Sequence, residues 1–251
     1  MRYRPALLSC CFLVSLLINL DGQAEEPQPY APQTGKHSLE FKGKGQVIIP
    51  KLRYDGSHPI TLEAWAMPYD REEEVIRSSV VANLQLAGVG LHYSGGKWMA
   101  HFNEGRDSNY GYVSTVSNKD AVNNQPVHLA AVYDGSSFKL YVDGKQQDWV
   151  GQVTLTHVPS PFDFMVGADP NGKGKPHQFF VGAIDEVRIS KVARYTEDFK
   201  PARRFQPDKE TLVLYHFDEG VGDVAHDASG NHRDGKIKGA KWIKQIEKDE
   251  K

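Results

Sequence analysis

The chain has 251 residues, 39% of them hydrophobic, with 30 Lys and Arg against 32 Asp and Glu and a formal net charge of −2. That is enough apolar material for one sizeable core. The balanced charge supplies no global field toward nucleic acid or anionic lipid, so neither class of partner is expected. Arg2 and Arg4 precede an apolar run from Ala6 to Leu20, and Gly22-Gln23-Ala24 offers small residues at the first and third places of a cleavage site. The run is about 15 residues, short of the roughly 20 that span a bilayer, so residues 1–24 are predicted to be a signal peptide. The mature chain would start at Glu25, leave no transmembrane segment, and work in a secreted or periplasmic, extracytoplasmic location. The only cysteines, Cys10 and Cys11, fall inside the signal, so the mature protein has neither a disulfide nor a thiolate metal site.

Residues 25–36 are polar and Pro-rich and read as a flexible leader. From Leu39 onward, alternating or aromatic-rich stretches recur roughly every 8 to 14 residues between Gly, Asp, Asn and Pro clusters, the spacing of a sandwich or jelly roll. They centre on Leu39, Val47, Leu62, Val80, Leu91, Met99, Tyr112, Leu129, Leu140, Val150, Met165, Phe180, Val187 and Leu214. In Ile60–Pro68, Ile60, Leu62, Ala64 and Ala66 share one face, while Glu63 and Trp65 share the other. In VYDGSSFKLYVDGK, residues 132–145, two Asp-Gly pairs bracket a strand in which Phe138, Leu140 and Val142 alternate with Ser137, Lys139 and Tyr141. Asp-Gly tolerates the positive φ of tight two-residue hairpin turns, so this region is antiparallel β. In GAIDEVRIS, Glu186 and Arg188 fall on one face and are expected to pair with Glu63 or with each other. The one helical candidate is a single turn at Thr196–Lys200, with Thr196 as N-cap, Glu197 and Asp198 in the first turn, and Pro201 as the stop. Residues 244–251 form a charged tail.

Nucleophile and metal motifs are missing. No G-x-S-x-G elbow occurs. Glu72, Glu73 and Glu74 are consecutive, so their side chains diverge, as expected of a solvated loop. His216, His226 and His232 stand among Asp218, Asp227 and Asp234, but no H-x-H or HExxH spacing puts two imidazoles on one face, and the surrounding glycines mark turns. Asp169-Pro170-Asn171-Gly172 is read as an Asx-type turn capping a hairpin, and Lys173, Lys175 and His177 as the tip of a mobile hairpin.

Four stretches in order, Ser38–Pro50, Ile60–Pro68, His128–Lys145 and Val166–Tyr195, resemble the laminin G-like, concanavalin A-like jelly-roll domain. The resemblance implies an all-β fold: a two-sheet antiparallel jelly-roll sandwich over residues 37–243, found in secreted proteins that mostly bind glycans or protein partners. Leu212–Trp242 looks like a segment that in many members precedes the first strand. Here it is expected to be a permuted closing segment packing near residues 37–50, the alternative being the stump of a second repeat. Where members often carry a Trp before the His-hydrophobic-Ala run, this chain has Pro126 and Val127.

Some members are glucan hydrolases with two glutamates around an aspartate on one strand, a pattern this chain lacks, so no catalytic residue is expected. Calcium is common in the fold. By resemblance Asp185 is the candidate ligand of a structural Ca2+, with backbone oxygens of Gly43–Gly45 completing the shell. Glycan binding needs an aromatic platform beside polar groups, and Arg106, Asp107, Asn109, Tyr110 and Tyr112 form the candidate set; Trp98 and His101 form another, with Trp98 alternating with core residues. The expected function is a secreted, non-catalytic recognition module for a carbohydrate or an extracytoplasmic protein. A diverged polysaccharide-active enzyme and a purely structural domain are the alternatives.

Overall fold

A computed structural model describes residues 35–70, 77–105, 111–154 and 158–244, and every regular element among them is a β-strand. A nine-stranded antiparallel sheet runs β10 (Lys145–Gln146), β9 (Ser137–Val142), β8 (Val127–Tyr133), β3 (Ile60–Pro68), β15 (Val181–Ser190), β1 (His37–Lys42), β19 (Lys241–Lys244); β11 (Gly151–Gln152) also lies on β9 and β16 (Thr211–Tyr215) on β15. An eight-stranded sheet runs β17 (Val224–Ala225), β18 (Gly235–Lys238), β2 (Gln46–Ile48), β12 (Met165–Val166), β4 (Ser78–Ala82), β5 (Gly88–Ser94), β6 (Lys97–Asn103), β7 (Tyr112–Val116). A short ribbon, β13 (Asp169–Pro170) with β14 (Pro176–His177), stands apart from both. The architecture is the expected two-sheet antiparallel sandwich.

The alternation in the sequence fills the space between the sheets. Phe41, Leu62, Leu129, Leu140 and Ile189 from the first sheet meet Val47, Leu91, Ala100, Phe102 and Val166 from the second, all but fully buried. Each of these side chains larger than alanine contributes about 1.5–3 kcal/mol by leaving water. Trp98 belongs to this core, 2% exposed.

The Asp143-Gly144 turn has φ 48° and 74°, the two positive values of a two-residue type I′ connection. The first Asp-Gly pair departs from expectation. Asp134 flanks the turn instead of sitting in it: its N donates to Ser137 O at 3.1 Å across Gly135 (φ 107°) and Ser136, and its Oδ1 accepts the amides of Ser136 and Ser137.

The outer face of the nine-stranded sheet is covered too. Ala193, Tyr195 and Phe199 pack against Ala130, Val132 and Tyr141, with the Tyr195 and Phe199 rings stacked at 3.5 Å between centroids. Beneath them lies Glu63, fully buried. It accepts from Arg188 Nε at 2.8 Å and from Tyr195 Oη at 2.7 Å, with His128 Nε2 at 3.3 Å. Burial alone would raise its carboxyl, yet His128 and Arg188 outweigh that and hold it below the usual range. The expected helical turn at Thr196–Lys200 is absent, so the fold contains strands and loops only among the described residues. Asp198 explains the difference: its carboxylate accepts Gln146 N at 2.9 Å and Lys145 Nζ at 3.0 Å, and Phe199 N donates to Gly144 O. The segment is an extended strap tied to the neighbouring hairpin.

Glu63 does pair with Arg188, but Glu186 does not share that arrangement. A register shift between Asp185 and Arg188 makes a bulge, with Glu186 at φ 46°. Its carboxylate turns to Arg204, His216 and the Phe205 amide. At the far end of the chain, β18 pairs with β2 and β19 with β1, while β16 continues the edge of β15 that β1 begins.

Candidate binding site

Antiparallel register decides which side chains leave the sandwich on the eight-stranded side. Ser79 lies opposite His92 and His92 opposite Met99; Gly90 lies opposite His101 and His101 opposite Ser114; Asn103 lies opposite Tyr112. These positions alternate with the core residues Leu91, Ala100 and Phe102, so they form the outer face. Gly90 is needed there: a Cβ would come within 2.5 Å of His92 Nε2 and 2.7 Å of the Ala82 methyl.

Tyr112 is the exposed aromatic of this face, 42% accessible on the edge strand. The His101 ring stands edge-on at 6.3 Å and the Arg77 guanidinium lies over the Tyr112 ring at 6.0 Å. The His92 and His101 rings meet edge to face at 5.1 Å, and His92 Nδ1 is 3.1 Å from Ser79 Oγ. His92 Nε2 and His101 Nδ1 are buried without a hydrogen-bond partner. Burial, then the Arg77 charge, lowers the His101 imidazole to about 4; burial, then His101 and Arg77, lowers His92 well below its ordinary value. Burial thus favours the neutral form of both rings. Asp169, at the ribbon, accepts Leu84 N at 2.8 Å, and burial pushes its carboxyl up to about 7.

The eight strands of this sheet contain no Asp or Glu. The two-carboxylate arrangement of glycoside hydrolysis is therefore not built on these eight strands.

Of the sequence-predicted ligand set, Tyr112 is on this face, whereas Arg106, Asp107, Asn109 and Tyr110 lie outside the described residues, as do Glu72, Glu73 and Glu74. His101 joins Tyr112; Trp98, on the same strand, points inward. Arg77, Ser79 and His92 were missed. A signal existed for His92, which alternates with core Leu91 behind two outward glycines, but nothing local marked Arg77.

Asp185 pairs across the sheet with Trp65 and is 7% exposed. Burial first, then Glu186 and Asp218, raises its carboxyl well above the usual range, with Arg203 opposing. Of the Glu186 and Asp218 carboxylate oxygens, Asp218 Oδ1 is buried without a hydrogen-bond partner. Glu186 is engaged by Arg204, His216 and Phe205 N, and Asp218 Oδ2 takes Arg204 Nη1 at 2.6 Å. Gly43 N donates to Phe180 O, five positions along from Asp185, so Gly43–Gly45 are remote from it. Among the described residues no three His, Cys, Asp or Glu side chains converge as a metal site. Asn171 Oδ1 accepts the amides of Lys173 and Lys175, the Asx-type cap read from the sequence. His216 and His226 are taken by Glu186 and Asp234.

The model of the concanavalin A-like lectin/glucanases superfamily matches residues 41–198. No curated protein matches in sequence. Among solved structures, a candidate carbohydrate-binding protein from Bacteroides ovatus superposes with a TM-score of 0.64 at 16% identity, over 85% of this chain and 61% of that one. The enzymatically active domain of bacteriophage CBA120 tailspike protein 2 gives 0.50 at 11% identity, over 73% of this chain and 30% of that one. Mouse laminin α1 domains LG4–5 give 0.49 at 16%, over 69% and 48%. At these identities the likeness is one of fold. Among the described residues no helix is long and apolar enough to cross a membrane.

Proposed function

The chain belongs to the concanavalin A-like lectin/glucanase superfamily, and from that premise we propose that it is an exported, non-catalytic recognition module holding a glycan on the outer face of its eight-stranded sheet. The observation that carries this reading is the exposed Tyr112 ring flanked by Arg77 and His101 on strands without a carboxylate. A sugar ring stacks on the phenol, with the Arg77 guanidinium and the His101 ring beside it. Arg106, Asp107, Asn109 and Tyr110 adjoin Tyr112 in sequence and are assigned to the same site. Export is supported by the basic then apolar start of the chain and by the small residues Gly22 and Ala24 that follow it.

A glycan array followed by calorimetry tests the reading. Tyr112→Ala is expected to weaken the selected glycan by roughly 1 kcal/mol, about fivefold, while leaving the fold intact. Binding unchanged in this variant removes the site; turnover of any polysaccharide removes the non-catalytic part.

A further inference from the structure

The outer face of the eight-stranded sheet carries a cation whose chemistry narrows the ligand. Arg77 enters just before β4, and its guanidinium carbon lies 6.0 Å from the centre of the Tyr112 ring on β7. In the sheet, β5 and β6 separate those two strands, so the arginine side chain runs across the face instead of standing out into water. It is half-buried there.

Among the described residues no carboxylate forms an ion pair with Arg77, whereas Lys97 and Lys236 of the same sheet draw Asp120 and Asp223 from adjoining loops. The strands themselves hold no Asp or Glu to neutralise it. Asp169 at the ribbon feels the Arg77 charge, but its carboxyl is buried, receives the Leu84 amide and stands 3.8 Å from His177 Nε2. Burial, the largest influence on that carboxyl, raises it to about 7 and so works against its ionisation. The field of Arg77 also reaches His92, His101 and His177, where it adds to burial in disfavouring the imidazolium.

We propose that the ligand of this face is an anionic glycan, with a sugar ring on Tyr112 and its carboxylate or sulfate on the Arg77 guanidinium. The inference rests on the reading of the Tyr112 face as a glycan site and goes further by naming the class of sugar. A planar guanidinium presents paired N–H donors that match either anion in a two-pronged contact. Half-burial strengthens that attraction over its value in water, and strands without acid add no repulsion. A neutral sugar would leave the charge uncompensated.

The test probes the full chain with an array of neutral, uronate-bearing and sulfated glycans, then measures each selected ligand by calorimetry beside its carboxyl-reduced or desulfated counterpart. The selected glycans are expected to be anionic and to bind at least about tenfold more tightly than those counterparts, a gap that narrows as salt is added. Which counterpart loses affinity distinguishes a uronate from a sulfate. Arg77→Gln is expected to close the gap and Arg77→Lys to keep part of it; neither substitution breaks an ion pair of the described fold. Neutral glycans that bind as tightly as acidic ones overturn the proposal, as does a gap that survives Arg77→Gln. If those neutral glycans depend on Tyr112, the glycan site stands and only its anionic character falls. Glycan binding indifferent to Tyr112→Ala removes the site and this inference together.

Discussion

Gly144 is the residue on which the second hairpin depends most. Its φ of 74° suits the turn, and a Cβ there would collide with the Phe199 carbonyl oxygen and approach Pro201 Cδ at 2.9 Å. Two penalties coincide: the left-handed conformation costs an L-residue about 1–2 kcal/mol, and the strap residue that receives the clash is rigid backbone. Gly144→Ala is therefore expected to lower stability by at least about 2 kcal/mol, read from urea unfolding midpoints. A loss under half that size would mean the strap can lift. The Asp-Gly signal made this turn legible in the sequence, but the second role of Gly144, as a seat for Phe199, was not, because Phe199 lies 55 positions away in sequence.

At the scale of elements, strands with one face on the core were readable because period-2 alternation is a direct consequence of the pleat; β3 and β9 are the examples. The strap at residues 191–210 was not. It buries Phe205 and half-buries Tyr195 and Phe199 by loop contacts that have no period, and its Asp and Glu residues imitate a helix start. The same limit applied to the binding face, where His92, His101 and Arg77 converge only through strand register. That convergence has a pH signature. A neutral buried imidazole stabilises above the unfolded pKa, and the contribution of His101 is lost as pH falls from 6.5 toward about 4. Asp169 acts oppositely: its raised carboxyl stabilises below 3.8 and the contribution is lost as pH rises toward about 7. His101→Gln should gain on the parent protein as the pH is lowered through its window, and Asp169→Asn should gain as the pH is raised through its own, in unfolding midpoints measured across the range. Parallel curves for parent and variant would show that the group is solvated instead.

For the whole molecule, stability rests on apolar interdigitation between two sheets, with no disulfide and no assembled metal shell among the described residues. Thermal melting in the presence of chelator is expected to match melting in added calcium to within about one degree; a shift of several degrees would assign Asp185 and its acidic neighbours to a bound cation, by the linkage between ligand binding and melting temperature.

His37 pairs with Lys244, so β1 and β19 bring the two ends of the folded body side by side. The strands they lead into, β2 and β18, are also neighbours, and β7, bearing Tyr112, is the opposite margin of that sheet. A partner fused at either described end would start from the same flank of the folded body, at the margin of the sandwich away from the tyrosine-bearing strand.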